Sequence, residues 1–252
     1  MNKKLSSLIC IALIVIISIP VVSIVFAGKN SRGPPEKIVY IHYKKGYGKP
    51  DGTPGKPQKD DGDYKLLVKG AKWDTTEPIL IVIDPDGSSL NAFDVQGVIE
   101  LSAEEWDDGA YSDDWYGVPV DLFGGYNIVH DATFDTVEPD GRNAILFGDQ
   151  QEGVIAICIV WGYFGGPPSG RYIIEFDIMF NTDYEWSLTG ESNKMDLQNI
   201  ATHELGHGAG LGDLYNRKTT EETMYGYSTE GEIKKRDLYL GDIAGIQFLY
   251  GE

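Results

Sequence analysis

This chain is short of cysteine and of positive charge, and both shortages narrow its class. Of 252 residues only two are cysteine, Cys10 and Cys158. A scaffold built on disulfides is therefore excluded, and stability has to come from a packed core. Lysine and arginine number 21 against 39 aspartates and glutamates, giving a formal net charge of -18. Such acidity disfavours nucleic-acid partners. Long apolar runs are also rare, the one from Leu8 to Phe26 standing alone, and no segment has the spacing of an EF-hand calcium loop. Histidine is scarce too, with 4 in all, which makes it notable that two of them stand four residues apart.

Those two belong to His203-Glu204-Leu205-Gly206-His207-Gly208-Ala209-Gly210-Leu211-Gly212-Asp213. On a helix, residues four apart share a face, so His203 and His207 can present their imidazoles to one metal ion. Glu204 then lies beside the open coordination position, where a carboxylate can take a proton from water. Glycine is a poor helix residue, so Gly206, Gly208, Gly210 and Gly212 predict that the helix stops soon after His207, with Gly210 as the turning point. Asp213 can then swing back as a third ligand. Two histidines, one carboxylate and a water form an open zinc site rather than a closed structural one. His42 and His130 are rival third ligands without motif spacing.

This segment resembles the metzincin peptidases, whose signature is HExxHxxGxx, a third ligand, and a later turn containing methionine. Most metzincins have His as the third ligand; Asp213 is similar to the smaller set with HExxHxxGxxD. Met224, in Glu222-Thr223-Met224-Tyr225-Gly226-Tyr227, is the candidate for the methionine turn. The closing stretch Leu238-Tyr239-Leu240-Gly241-Asp242-Ile243-Ala244-Gly245-Ile246-Gln247-Phe248-Leu249-Tyr250-Gly251 resembles the last helix of the matrixins. Asp242 suits a helix start, Ile243, Ile246 and Leu249 or Tyr250 one apolar face, and Gly251 an end.

Upstream, Leu80 to Ile83 before the Asp84-Pro85-Asp86-Gly87 turn reads as a buried strand, and 88–106 as an amphipathic helix. Ala144 to Phe147, Val154 to Tyr163 and Tyr172 to Phe180 read as further strands. The resemblance implies an α+β domain over 64–252: a twisted mixed five-stranded sheet packed on two helices, with a C-terminal helix below the zinc cleft. It also implies that Ala156, Ile157 and Cys158 lie on the sheet edge, where a substrate adds as an extra strand. The pocket wall for the residue after the scissile bond is expected from Tyr225 to Lys235. The activity implied is that of a zinc endopeptidase acting on protein or peptide substrates, with Glu204 as general base. A noncatalytic surface-binding module and a zinc hydrolase of non-peptide substrates stay open; the former has no use for Glu204. Acidic patches, Asp131 to Asp140 among them, make calcium a second candidate metal.

The N-terminus bears on the compartment. Lys3 and Lys4 precede the apolar run, and Val25-Phe26-Ala27 before Gly28 is similar to a signal-peptidase site, so residues 1–27 read as a secretion signal or an uncleaved membrane anchor. Residues 28–63 are rich in Gly, Pro and Lys and read as a linker or short propeptide. Many matrixins are held latent by a propeptide cysteine; this segment has none. Oligomeric state is not encoded in any feature of the sequence.

Overall fold

The computed structural model describes residues 33–48, 62–110 and 121–251. The signal or anchor reading of 1–27 and most of the linker reading of 28–63 fall outside them. In chain order the elements are β1 (Glu36–Lys44), β2 (Ile79–Ile83), α1 (Ala92–Ala110), β3 (Phe123–Ile128), β4 (Asn143–Gly148), β5 (Val154–Tyr163), β6 (Tyr172–Asn181), β7 (Trp186–Ser187), β8 (Met195–Asp196), α2 (Leu197–Ala209), β9 (Tyr227–Ser228) and α3 (Leu240–Tyr250).

The main sheet has 7 strands in the order β3-β2-β4-β6-β5-β1-β9, and β7 and β8 form a small separate pair. The four strands from β3 to β6 run parallel to one another, while β5 is antiparallel to β6 and to β1. The α+β class and the mixed sheet match expectation; the five-strand count does not. Two of the additional strands, β1 and β9, lie beyond β5. Within the stretch read as linker or short propeptide, residues 36–44 form β1, where buried Tyr40 and His42 alternate with half-buried Val39, Ile41 and Tyr43, and this period of two builds a strand. Consequently β5 is not an edge. Ala156, Ile157 and Cys158 pair with His42, Ile41 and Tyr40 on one side and with Phe180, Met179 and Ile178 on the other.

Apolar runs in β2, β4, β5 and β6 place Ile81, Ile83, Ile145, Ile155 and Ile178 fully out of solvent, each such side chain contributing about 1.5–3 kcal/mol of transfer free energy. Helix α1 begins after Asn91, whose Oδ1 accepts the Phe93 N–H at 2.9 Å. Its buried stripe, Val95, Ile99, Ala103 and Trp106, meets α2, where Trp106 Nε1 donates to the Thr202 carbonyl at 2.8 Å. Helix α3 packs against α1, and its terminal Tyr250 hydroxyl donates to the Ala209 carbonyl at 2.8 Å. The two helix ends are thereby fixed to each other beneath the segment that carries the histidines.

Candidate active site

Helix α2 starts at an Asp196 cap, which accepts the Asn199 N–H at 3.1 Å and is itself held by Arg236. It runs through Gly206 and Gly208 to Ala209, further than glycine propensity suggests. Close packing explains the glycines: a Cβ on Gly206 would lie 2.3 Å from Met224 Sδ and 2.5 Å from the Trp106 ring, and one on Gly208 3.0 Å from Phe176. At Gly210, φ is 110°, and the left-handed turn ends the helix as its sequence predicts. The chain then folds back and carries Asp213 to the histidine face.

His203 and His207 stand one turn apart with ring centroids at 4.8 Å. Asp213 Oδ1 lies 3.2 Å from His203 Nε2 and 3.4 Å from His207 Nε2. The outer nitrogens are already engaged: His203 Nδ1 bonds the Thr223 carbonyl at 2.7 Å and His207 Nδ1 the Leu211 carbonyl at 3.0 Å. A carbonyl only accepts, so each Nδ1 carries the proton and each Nε2 presents a lone pair. Two lone pairs and a carboxylate oxygen thus converge, buried and without a hydrogen-bond partner. Such an arrangement is repulsive by itself and is relieved by a cation. Ligands at about 2.0–2.1 Å around a tetrahedral zinc would sit roughly 3.3–3.4 Å apart, close to the separations seen. The donor set fits zinc.

Electrostatics agree with a neutral His203 imidazole and an ionised Asp213. Burial, with Lys235 nearby, brings His203 down to about 3. For Asp213 burial works upward, but the adjacent His207 and His203 hold it well below the ordinary carboxylate range. Burial and the neighbouring Asp213 push Glu204 well above its usual range. Glu204 Oε1 bonds His42 Nδ1 at 2.9 Å, while Oε2 is buried without a partner.

Several residues at the site were not singled out for these positions by sequence. Tyr215 donates to Asp213 Oδ2 at 3.0 Å, fixing the face that Asp213 turns to the histidines. Tyr40 stacks on His207 with centroids 3.8 Å apart and planes 6° from parallel. His42 enters the site on the Glu204 side, its Nε2 lying 3.1 Å from Ser228 Oγ and 3.4 Å from Lys235 Nζ. Lys235 is fully buried, donates to the Tyr225 carbonyl, and burial pushes it down to about 8. The continuous apolar run 38–41, followed by His42, was the available signal for β1; nothing local marked Tyr215 or Lys235. His130 instead pairs with exposed Asp86 at the surface.

Met224 is buried against Gly206 directly beneath the histidine helix. Its turn is pinned from α3: Asp242 accepts the Thr223 N–H at 2.6 Å and the Met224 N–H at 3.0 Å. Asp242 does this from the third position of α3, which begins at Leu240, two residues before the start expected. Thr223 in turn offers its carbonyl to His203, so the last helix and the first histidine are linked through one residue.

Residues 165–251 match the matrixin family, Peptidase M10. Over 92 residues the chain is 35% identical to Metalloendoproteinase 2-MMP of Arabidopsis thaliana, covering 34% of this chain and 22% of that protein. Over 76 residues it is 38% identical to Stromelysin-2 and 37% identical to Matrilysin, both of Rattus norvegicus, covering 30% of this chain in each case and 15% and 27% of those proteins. The chain therefore spans only a minor part of the length of the curated relatives it matches. Histidine helix, left-handed glycine turn, returning Asp213, methionine turn and final helix all fall inside the matched residues, and over that stretch the chain is matrixin-like.

Proposed function

We propose that this domain is a zinc-dependent endopeptidase that hydrolyses protein or peptide substrates, with His203, His207 and Asp213 holding the metal and Glu204 acting as general base. The observation that carries the reading is the convergence of three buried, unpartnered ligand atoms next to the unpartnered Oε2 of Glu204. Surface-binding modules gain nothing from a buried carboxylate at that place. Bound zinc would supply Lewis acidity to a scissile carbonyl and raise the acidity of water beside it.

The protein's own groups account for the proton movements. Glu204, held above its ordinary range, is suited to take a proton at Oε2 from the attacking water and to return it to the leaving amine nitrogen. Tyr215 and the two backbone carbonyls at Thr223 and Leu211 keep the ligand atoms aimed, so the metal site needs little rearrangement on binding. Met224 and Trp106 close the underside and keep bulk water from it. Names such as metalloendoproteinase and matrilysin among the relatives support the same activity class. An extracellular setting follows from the signal-like N-terminus; among the described residues no helix is long and apolar enough to cross a membrane.

Replacing Glu204 by Gln tests the reading. Stoichiometric zinc should remain in Glu204→Gln, while cleavage of an unstructured polypeptide falls by about 10²–10⁴-fold, the range general-base catalysis supplies. Undiminished cleavage by that variant would remove Glu204 from the chemistry.

A further inference from the structure

An enzyme that cuts polypeptides has to admit an extended chain beside its reacting groups, and adding a strand to a sheet edge is the common way to do so. In this domain the free side of β5 is taken by the protein's own residues. Strand β1 runs antiparallel along β5, with Glu36 opposite Gly162 through His42 opposite Ala156. On its other side Tyr43 and Lys44 pair in parallel with Tyr227 and Ser228 of β9. Lys44 N and Lys45 N continue these bonds to the Gly153 and Ser228 carbonyls, at 2.8 and 2.9 Å. β1 therefore lies as a guest strand would, between the sheet and the stretch expected to form the pocket wall.

Its inward side chains cover the chemistry. Tyr40 lies flat on His207, and His42 bonds Glu204 through Nδ1 while its Nε2 meets Ser228 and Lys235 from the wall segment. Glu204 and His203 are 0% exposed and His207 1%. No polypeptide carbonyl can reach Glu204 while His42 holds it. After β1 the sequence passes into Lys44-Lys45-Gly46-Tyr47-Gly48-Lys49-Pro50 and on to Pro57, a Gly/Pro/Lys-rich composition. Latency through a cysteine is not required for such a closure.

We propose that β1 is an intramolecular occupant of the substrate track, which keeps the peptidase latent by seating His42 on Glu204 and Tyr40 on His207 until the strand withdraws. This rests on the peptidase reading above. Ile41 and Ile157 provide a direct test, because they are Cα partners across the β1–β5 ladder and alternate to the face opposite Tyr40 and His42. Directly paired residues on antiparallel strands have Cα atoms about 4.5–5.5 Å apart, within reach of a disulfide. In the full chain carrying Cys10→Ser, Cys158→Ser, Ile41→Cys and Ile157→Cys, oxidation should fasten β1 to β5 with Tyr40 and His42 in place, and reduction should free it.

With zinc loaded, the oxidised form is expected to cleave an unstructured polypeptide at least about tenfold more slowly than its reduced form, since activity scales with the fraction of open molecules. Zinc should also leave the oxidised form more slowly when 1,10-phenanthroline is added. In a separate variant, His42→Ala, cleavage should exceed that of the parent chain, with thermal melting recorded to establish that it is folded. Equal cleavage and equal zinc loss in the oxidised and reduced forms, with the disulfide verified by mass, would overturn the latency and leave the peptidase reading standing. Absence of cleavage by every zinc-loaded form, folded His42→Ala included, would instead remove the peptidase reading and this inference with it.

Discussion

Among the described residues four groups of side chains bring metal-ligating atoms within 4.8 Å of one another, and two of them are differently built. At the end of α2, His203, His207 and Asp213 are buried, their outward atoms tied to carbonyls and to Tyr215, and their inward atoms unpartnered. Near the start of β4, Asp135, Asp140 and Glu175 form the second group. There Glu175 accepts the N–H groups of Asp140 and Gly141, and Asp140 accepts from Arg142 N at 2.8 Å and Thr133 Oγ1 at 3.2 Å. One Asp135 oxygen is left over. Most of that second group's capacity is used in holding a loop. Proximity of ligand residues is thus a weak criterion, and the direction of lone pairs that nothing else engages is a strong one.

The largest effect should come from removing a ligand of the first group. His207→Ala and Asp213→Ala are each expected to lower zinc affinity by more than about 10³-fold, a share of the roughly 10–16 kcal/mol that complete zinc sites supply. Asp140→Asn should leave zinc stoichiometry and affinity unchanged. Competition titration with a chromogenic chelator reads all three, and a matching loss in Asp140→Asn would erase the distinction between the groups.

The platform beneath the first group is the next point to strain. Gly206→Ala places a methyl group where Met224 Sδ and the Trp106 ring already stand, at 2.3 and 2.5 Å. Overpacking of this kind costs about 1–3 kcal/mol, and the helix propensity gained by alanine, about 1 kcal/mol, only partly offsets it. A lower Tm with weakened zinc binding is expected. Unchanged melting would mean that the methionine turn gives way easily and does not brace the histidines.

Tyr215→Phe probes the same group through its supporting hydrogen bond. Asp213 would keep its place in the chain but lose the donor at Oδ2, and partners of this kind are worth about 10–100-fold in metal affinity. A loss as large as that from Asp213→Ala would mark Tyr215 as more than an orienting residue.

How much of this was legible in sequence followed from the range of the interactions. His203, His207, Gly210 and Asp213 lie within one turn-and-return of chain, where spacing alone fixes who can meet. Met224 and Asp242 were legible through resemblance, although the hydrogen bonds joining them were not. His42 was weighed only as a rival ligand, because its bond to Glu204 spans 162 positions; no local pattern encodes which strand will pair with β5. β3 was missed for a local reason: Phe123-Gly124-Gly125-Tyr126 has two glycines, one at φ 95°, and lacks the β-branched run that marks a strand. The edge-strand reading of Ala156, Ile157 and Cys158 did not foresee that β1 pairs along β5, by the same omission that hid β1.

The smallest effect concerns the loop-holding carboxylates and is best read as a pH dependence. Asp177, on β6, is buried and accepts the Asp135 N–H at 2.8 Å and the Ala144 N–H at 3.0 Å. Burial pushes it up to about 7 from an ordinary 3.8, the two N–H bonds and nearby carboxylates adjusting that rise. A carboxyl raised in the folded state keeps a proton there that the unfolded chain has already lost, so stability falls as pH climbs from about 4 to about 7. Asp177→Asn abolishes this slope but leaves one of the two N–H groups without an acceptor, a cost of about 1 kcal/mol. The variant should therefore melt below the parent at pH 4.5, and the gap should shrink or reverse by pH 8, with calcium chelated throughout. A constant gap across that interval would mean that Asp177 is ionised in the folded state, and that its two N–H bonds outweigh the burial that raises it.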